Sequence, residues 1–421
     1  MSNHTTTPHP SNQSAAGLTR RRFLGATAAA SLAGLECPAF AAESAKSKKT
    51  GSPPAASSSP EESLAEVWRR DRRLVALRKR VLEFDPKRAN SGWLDVLVAQ
   101  GAACCGVKLR DEPLRRWAAT WADHHLALPI GTKRDSQLGL LDPGTPSRGI
   151  YLNSYCGDWG APLALTPLYL QSKTPAYLEA ITRIADHVME KSARAPDGTI
   201  LHAAGLGVWV DTLYYTASVL ANAYAAAGHR RYADEAVRQC ALHAKHLRDE
   251  KTGLFFHDVN LKTGARTKAF WARGNGWIIM ALADTLTLVP RDTAGYDEVL
   301  SIYRSQAAGL LSFQHSSGLL RIVPEEPTAH LETSGTTMLL CGLATGIGAG
   351  LLPNSQVEPL RRGFNEVITW INGKGQLLGS QQPAGLGGWE THKLVAMGES
   401  SYTTGAFLRL IADLGSTKLL G

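Results

Sequence analysis

Cysteine is scarce in these 421 residues, strand-like alternation is rare, and the motifs of several common catalytic schemes are missing. There is no G-x-S-x-G elbow, no phosphate-cradling P-loop and no G-x-G-x-x-G turn after a strand. Nucleophile-elbow hydrolases, P-loop nucleotidases and dinucleotide enzymes are thereby excluded. Of six cysteines, Cys37 lies in a leader-like segment, which leaves Cys104, Cys105, Cys156, Cys240 and Cys341. An odd number cannot all pair, and the adjacent Cys104 and Cys105 lack the C-x-x-C spacing of a metal site. Mostly buried, small apolar cysteines with at most one or two bridges are expected. No segment after the leader is apolar for long enough to span a bilayer. The net charge is +8, with much of the excess in Arg20, Arg21, Arg22, Lys46, Lys48 and Lys49. A basic leader of this kind is no nucleic-acid signal. His243 and His246 share a helix face, but no carboxylate or third histidine stands near them in sequence. They read as surface residues, with no metal site expected.

Thr19-Arg-Arg-Arg-Phe-Leu-Gly25 resembles a twin-arginine export motif. A mildly apolar stretch follows, and Ala39-Phe40-Ala41 supplies a small-x-small cleavage pattern. Residues 1–41 are therefore expected to be a signal peptide, and the mature chain to be periplasmic or secreted. Residues 42–62, rich in Ser, Pro, Ala and Lys, read as a flexible linker. The remainder, 63–421, reads as a single domain.

Apolar residues recur at three- and four-residue intervals in 65–82, 92–103, 113–127, 160–171, 175–192, 211–227, 230–247, 274–289, 294–313, 334–350, 355–372 and 400–414. The spacing predicts about twelve helices. A repeat of about sixty residues runs through them. Tyr177, Tyr232 and Tyr296 each stand near the start of an amphipathic helix, and Gly198, Gly253 and Gly318 follow at near-constant distance. Each glycine opens a short apolar run: Thr199-Ile-Leu-His202, Leu254-Phe-Phe-His257 and Leu319-Leu-Arg321. Helix pairs of this kind must stack to bury their apolar faces. Six of them closing into a ring make an all-α (α/α)6 barrel; an open solenoid is the alternative. In the ring, His202, His257, Arg321 and the segments around Asp211 and Arg273 gather at one mouth.

Asp211 lies in Gly207-Val-Trp-Val-Asp-Thr-Leu-Tyr-Tyr215, just ahead of a helical pattern. An Asp there caps the helix, which favours its ionised form. Alternatively, Trp209 and Tyr215 enclose it, which desolvates the carboxyl and raises its pKa toward that of a general acid. Asp158, in Cys156-Gly-Asp-Trp-Gly160, repeats the arrangement and is a second candidate acid. In Phe270-Trp-Ala-Arg-Gly-Asn-Gly-Trp277, Arg273 offers a planar fork suited to a carboxylate, and Gly274 and Gly276 would let backbone amides approach a ligand. Asn275 belongs to the same candidate grip. Trp271 and Trp277 either offer faces to a sugar ring or belong to the core, with core the better reading for Trp271. Glu332 either caps the next helix or lines the mouth, with Thr333 and Ser334 as equal candidates for the cap.

Trp209-Val-Asp-Thr-Leu-Tyr214, Trp271-Ala-Arg-Gly-Asn-Gly-Trp277, Glu332-Thr-Ser334 and Gly405-Ala-Phe-Leu408 together resemble the unsaturated rhamnogalacturonyl hydrolases, glycoside hydrolase family 105. The related unsaturated glucuronyl hydrolases of family 88 are similar. The resemblance runs from about residue 150 to the end. It implies a six-hairpin α/α barrel and removal of a terminal 4,5-unsaturated uronic acid from lyase-made oligosaccharides, without metal or organic cofactor. Asp211 matches the catalytic aspartate, and His202, His257, Arg273 and Trp277 match pocket positions. The chain departs from the family at Thr212, often Asp or Gly there, and at Asp258-Val-Asn260 after His257. A monomer or homodimer acting on an acidic unsaturated oligosaccharide is expected. Two other readings stay open: a two-carboxylate barrel glycosidase using Asp158 with Asp211, and a non-catalytic exported sugar-binding protein.

Overall fold

The computed structural model describes residues 64–131, 149–383, 389–417 and 419. The expected signal peptide and linker lie outside the described residues. Among those described, no helix is long and apolar enough to cross a membrane.

Among the described residues fifteen helices follow in chain order: α1 (Leu64–Arg70), α2 (Arg72–Glu83), α3 (Val96–Lys108), α4 (Glu112–Leu126), α5 (Ala161–Ser172), α6 (Pro175–Lys191), α7 (Val210–Leu213), α8 (Val219–Ala227), α9 (Arg230–Leu247), α10 (Ala272–Leu288), α11 (Tyr296–Ser312), α12 (Ser334–Gly348), α13 (Val357–Thr369), α14 (Trp389–His392) and α15 (Ser401–Thr417). The predicted 65–82 helix is two helices. Asp71 breaks it by accepting the Arg73 and Leu74 amides as an N-cap, because its side chain competes with the backbone for those donors.

Two classes of helix make two layers. The outer class is amphipathic: α13 buries Leu360, Gly363, Phe364 and Val367, a stripe at the i, i+3, i+4, i+7 spacing. The inner class is buried on all sides. In α10 every residue from Ala272 to Leu286 is buried, as expected of a helix enclosed by neighbours. The inner helices pack in the order α3, α5, α7–α8, α10, α12 and α15, and α15 returns to pack along α3. That last contact closes the ring as an (α/α)6 barrel. It is a close approach of backbones: a Cβ on Gly101 of α3 would lie 2.4 Å from the Gly405 carbonyl oxygen of α15. Inside the ring Arg409 pairs with Asp284 and Asp413, and Lys108 reaches Asp413 at 2.5 Å.

The sequence repeat is the link from outer to inner helix. Gly198, Gly253 and Gly318 have φ of +92°, +76° and +100°, and Gly375, at +75°, is a fourth copy. This left-handed region admits glycine at little cost. After the turns, three short antiparallel pairs brace the mouth: β1 (Val208–Trp209) with β2 (Asp258–Val259), β3 (Leu320–Arg321) with β4 (Leu331–Glu332), and β5 (Ser380–Gln381) with β6 (Met397–Gly398). The five cysteines from Cys104 onward are free thiols, four of them buried. His243 is buried, contrary to the surface expectation: its Nδ1 meets the Gln239 carbonyl within α9, while His246 reaches Asp197 at 2.8 Å.

Candidate active site

The site is organised around the start of α7. In β1–β2, Trp209 stands opposite Asp258, and the Val210 amide donates to the His257 carbonyl at 3.0 Å. This register brings His257 beside Asp211, with Nε2 3.7 Å from Oδ2. Asp211 occupies the first turn of α7, with its carboxyl beside its own backbone amide. Oδ2 is buried without a partner, and 21 % of the side chain stays open to the mouth. Burial raises the carboxyl pKa to about 6, against the opposing pull of Arg273, the residue's own amide and the Trp277 indole. Burial disfavours the charged form, so part of the population is protonated near neutral pH.

The inner helix continues as a π turn, Tyr214–Ser218, before α8 resumes the α pattern. π turns concentrate at functional sites. Here the turn carries Tyr215 on the wall of the cup, while Tyr214 packs against Trp277 at 5.3 Å. The Trp277 indole N–H faces Asp211 but completes no hydrogen bond, and its nitrogen is buried without a partner.

The cup holds about 80 Å³, and Trp93, Tyr155 and Gly157 complete its wall. His202 stacks on Trp209 at 4.1 Å with 7° between planes. Its Nδ1 lies 3.2 Å from the Thr212 hydroxyl and 3.3 Å from Cys156 Sγ. Thr212, where the family resemblance points to Asp or Gly, thus fixes the orientation of His202. Burial pushes His202 down to about 4. It pushes His257 down to about 3, helped by His392, Arg273 and His202. Both imidazoles are neutral at pH 7 and serve as hydrogen-bonding groups. Arg273 is therefore the cation of the cup.

Arg273 is buried, with its guanidinium over Trp271 at 4.5 Å and Tyr402 at 4.9 Å. Nη1 donates to the Gln381 carbonyl and to Tyr402 Oη, and Nη2 donates to the Gln382 carbonyl at 3.3 Å. Nε has no partner. Five N–H bonds less three leave Nε–H and one Nη2 hydrogen, and these two atoms flank the side of the fork that fits a carboxylate. Among the described residues no carboxylate pairs with it.

Of the residues singled out from sequence, the structure brings Asp211, His202, Trp209, Tyr215, His257 and Arg273 around one cup. Four others do not line it. Asn275 is a clasp: it accepts the Phe255 amide at 2.8 Å and donates to the Phe255 carbonyl at 2.9 Å, so its amide is spent holding the strand that leads to His257. Glu332 is held by the Ser334 amide, the Ser334 hydroxyl and the Gly335 amide, which makes it the cap of α12. Trp277 lies beneath the cup, among Tyr214 and Tyr215. Asp158 is buried, and its Oδ2 accepts from Asn153 at 2.8 Å.

Two further expectations are corrected. Arg321 turns away from the mouth, donating to the Ala329 carbonyl at 2.7 Å. Arg273 stands within the first turn of α10, not in a turn before it, and the neighbouring glycines serve helix packing. A Cβ on Gly274 would meet Trp271 and Val210 at 2.7 Å, and one on Gly276 would meet Met338 at 2.6 Å. Trp93 and Tyr155 were not foreseen as wall residues, and Trp271, for which core was the better reading, lines the cup as well. A signal existed: each precedes an inner helix, as Trp209 does.

The profile of glycosyl hydrolase family 88 matches residues 80–415. The chain is 25 % identical over 194 residues to the unsaturated rhamnogalacturonyl hydrolase YesR of Bacillus subtilis, covering 44 % of this chain and 56 % of that one. It is 26 % identical over 266 residues to an unsaturated 3S-rhamnoglycuronyl hydrolase of Formosa agariphila, covering 57 % and 67 %. The chain thus spans between half and two thirds of the length of these relatives. Among solved structures, a possible family 105 member from Klebsiella pneumoniae superposes with a TM-score of 0.69 at 20 % identity, covering 82 % of this chain and 93 % of that one. The unsaturated glucuronyl hydrolase of Bacillus sp. GL1 superposes at 0.57 and 17 % identity, covering 77 % and 86 %. With the profile spanning four fifths of the sequence and the same closed ring in these structures, the chain belongs to glycosyl hydrolase family 88.

Proposed function

We propose that this protein removes the terminal 4,5-unsaturated uronic acid from oligosaccharides left by a polysaccharide lyase, and that it does so by hydrating the C4=C5 vinyl ether. The supporting observation is Asp211: a carboxyl with a buried, unpartnered oxygen and a pKa raised to about 6, facing an aromatic cup whose cation has an open fork.

The steps use one carboxyl. Protonated Asp211 gives its proton to C4, and positive charge develops at C5 and the ring oxygen. Water attacks C5 and hands a proton to the Asp211 carboxylate, which restores the acid. The C5 hemiketal opens, and the saccharide at C1 is released. Arg273 holds the uronate carboxylate through Nε and Nη2. Trp209, Tyr215 and Trp271 exclude bulk water and present faces to the ring. Neutral His202 and His257 hold hydroxyls. Paired carboxylates of an ordinary glycosidase would need a second acid in the cup, and Asp158 does not line it. The twin-arginine leader supports export to the periplasm or beyond.

The test is Asp211→Asn, followed by loss of ultraviolet absorbance from the conjugated double bond. Turnover should fall on the order of a thousandfold while saccharide binding persists. Near-normal absorbance loss in the variant removes Asp211 from the role.

A further inference from the structure

A second hollow, of about 350 Å³, opens at the far end of the barrel from the cup. Trp93 stands just before α3 and lines the cup, whereas Leu109 and Arg110 stand just after α3 and line the hollow. The 13 residues of α3, at roughly 1.5 Å each, hold the two about 20 Å apart. A sugar seated in the cup therefore leaves the hollow free.

Three arginines and two acids line it, Arg69, Arg78 and Arg110 against Asp111 and Glu112, and the acids are already engaged. Asp111 accepts Arg78 through both oxygens, at 2.5 and 2.7 Å, takes the Trp68 indole N–H at 3.0 Å and caps α4 through the Leu114 amide. Glu112 accepts Arg115 at 2.6 Å. Arg69 and Arg110 are exposed, and among the described residues neither stands within ion-pair distance of an acid. Beside them lie Leu109, Pro113 and Val75, the last 41 % exposed. Arg110 is also strained: its φ is +56°, and Lys173 is the one other non-glycine residue in the left-handed region among those described. Glycine ends a helix in this way at little cost, whereas a side chain crowds its own backbone. A long cation kept at such a position, over an open hollow, points to use of the side chain.

We infer that this hollow is an exosite for acidic polysaccharide, in which Arg69 and Arg110 engage carboxylate or sulfate groups of the polymer while the cup stays open to short chains. The inference rests on the reading of the cup, since a protein that consumes the ends of acidic saccharides works amid the polymer that yields them. The planar guanidinium fork matches either anion through paired N–H bonds. The surroundings favour the same sign of ligand: residues 64–88 carry nine Lys and Arg against four Asp and Glu, and such an excess beside a low-dielectric wall raises the local concentration of anions. The apolar side chains suit the C–H faces of a sugar. Asp111, locked by Arg78 and Trp68, gives Arg110 a rigid base.

The experiment measures binding of polygalacturonate, dextran sulfate and neutral dextran by titration calorimetry, at about 20 and about 300 mM NaCl. The proteins are the wild type, Arg69→Glu, Arg110→Glu, the double variant and Arg110→Gly. One acidic polymer should bind at low salt and dextran should not, and the carboxylated and sulfated arms identify the anion. Each charge reversal should weaken binding about fivefold or more, and added salt should weaken it further. kcat/KM on an unsaturated disaccharide should stay within about twofold of wild type throughout, since the cup lies a helix length away. Arg110→Gly separates use from structure: relieved of the left-handed strain, it should melt no lower than wild type and yet bind polymer more weakly. A glycine variant that melts lower and binds as before makes Arg110 a structural residue and overturns the inference. So does a wild type that binds neither acidic polymer at low salt, a double variant that binds like wild type, or a DNA fragment that binds more tightly than both polymers. No absorbance loss from the disaccharide defeats instead the reading of the cup; polymer binding needs no turnover and is decided separately.

Discussion

Asp211→Asn should abolish turnover and at the same time stabilise the protein, but only above about pH 5. The folded carboxyl has a pKa near 6 because of burial, whereas an unfolded Asp titrates near 3.9. A group whose folded pKa is raised supports the native state at low pH and opposes it once ionisation is forced. Two pKa units at 1.36 kcal/mol each set the penalty at about 3 kcal/mol above pH 7, and it falls well below 1 kcal/mol at pH 4, where both states approach protonation. Asparagine keeps the shape and cannot ionise. At pH 8 the variant should therefore gain up to about 3 kcal/mol, close to 4 °C in Tm for a domain of this size. At pH 4 the two melting curves should nearly coincide.

The assay is thermal unfolding of wild type and variant side by side from pH 4 to 8. Every other titrating group is common to both proteins and cancels in the difference. Of the groups facing Asp211, His257, His202 and Cys156 keep one protonation state above about pH 5: the histidines are neutral there, and burial drives the Cys156 thiol well up. A Tm difference independent of pH, or a variant less stable than wild type at pH 8, would refute the claim that burial holds Asp211 neutral.

Trp277→Phe should move the falling limb of kcat/KM, expected near pH 6, to higher pH by roughly half a unit to one unit, since the indole N–H favours the carboxylate and its loss favours the acid. A limb that stays in place would show that the indole has no influence on Asp211. Arg273→Lys should raise KM about tenfold or more with a smaller change in kcat, because an ammonium cannot fill both sites of a carboxylate fork; unchanged KM argues against Arg273 as the anion grip. Asn275→Ala should cost about 2–4 kcal/mol in denaturant unfolding, as the Phe255 amide and carbonyl lose their partner. A loss confined to KM would instead restore Asn275 as a sugar contact.

Much of the barrel was legible because a two-layer ring writes two patterns into a chain. Outer helices such as α13 show one apolar stripe, and the Gly198, Gly253 and Gly318 turns mark each return to the inner layer. Inner helices have no polar face to read, yet their apolar residues still recur at three- and four-residue intervals. Asp211 was legible through its aromatic neighbours. The direction in which Asn275, Trp277 and Glu332 point was not. One motif, Trp271 to Trp277, spans a helix start, and successive side chains on a helix turn by 100°. Arg273 and Trp271 face the cup, while Asn275 clasps Phe255 and Trp277 sits below. A string of residues names the helix end without saying which of its faces is the wall.

In the proposed mechanism one carboxyl suffices: Asp211 is an acid before C4 is protonated and a base after, so its pKa has to stay near the working pH in both states. Burial alone would push it so high that the carboxyl would be too weak an acid to give its proton to C4. Arg273, the backbone amide and the Trp277 indole pull it back, and they come from α10 and from α7 itself, the helices that meet at Val210 and Gly274. Because a Cβ at Gly274 would strike both Val210 and Trp271 at 2.7 Å, that contact tolerates no side chain. Gly274→Ala should therefore displace Arg273 and Trp277 together relative to Asp211. Its effect should register in the pH limb and in KM at once, where a loss of packing alone would lower stability and leave the limb in place.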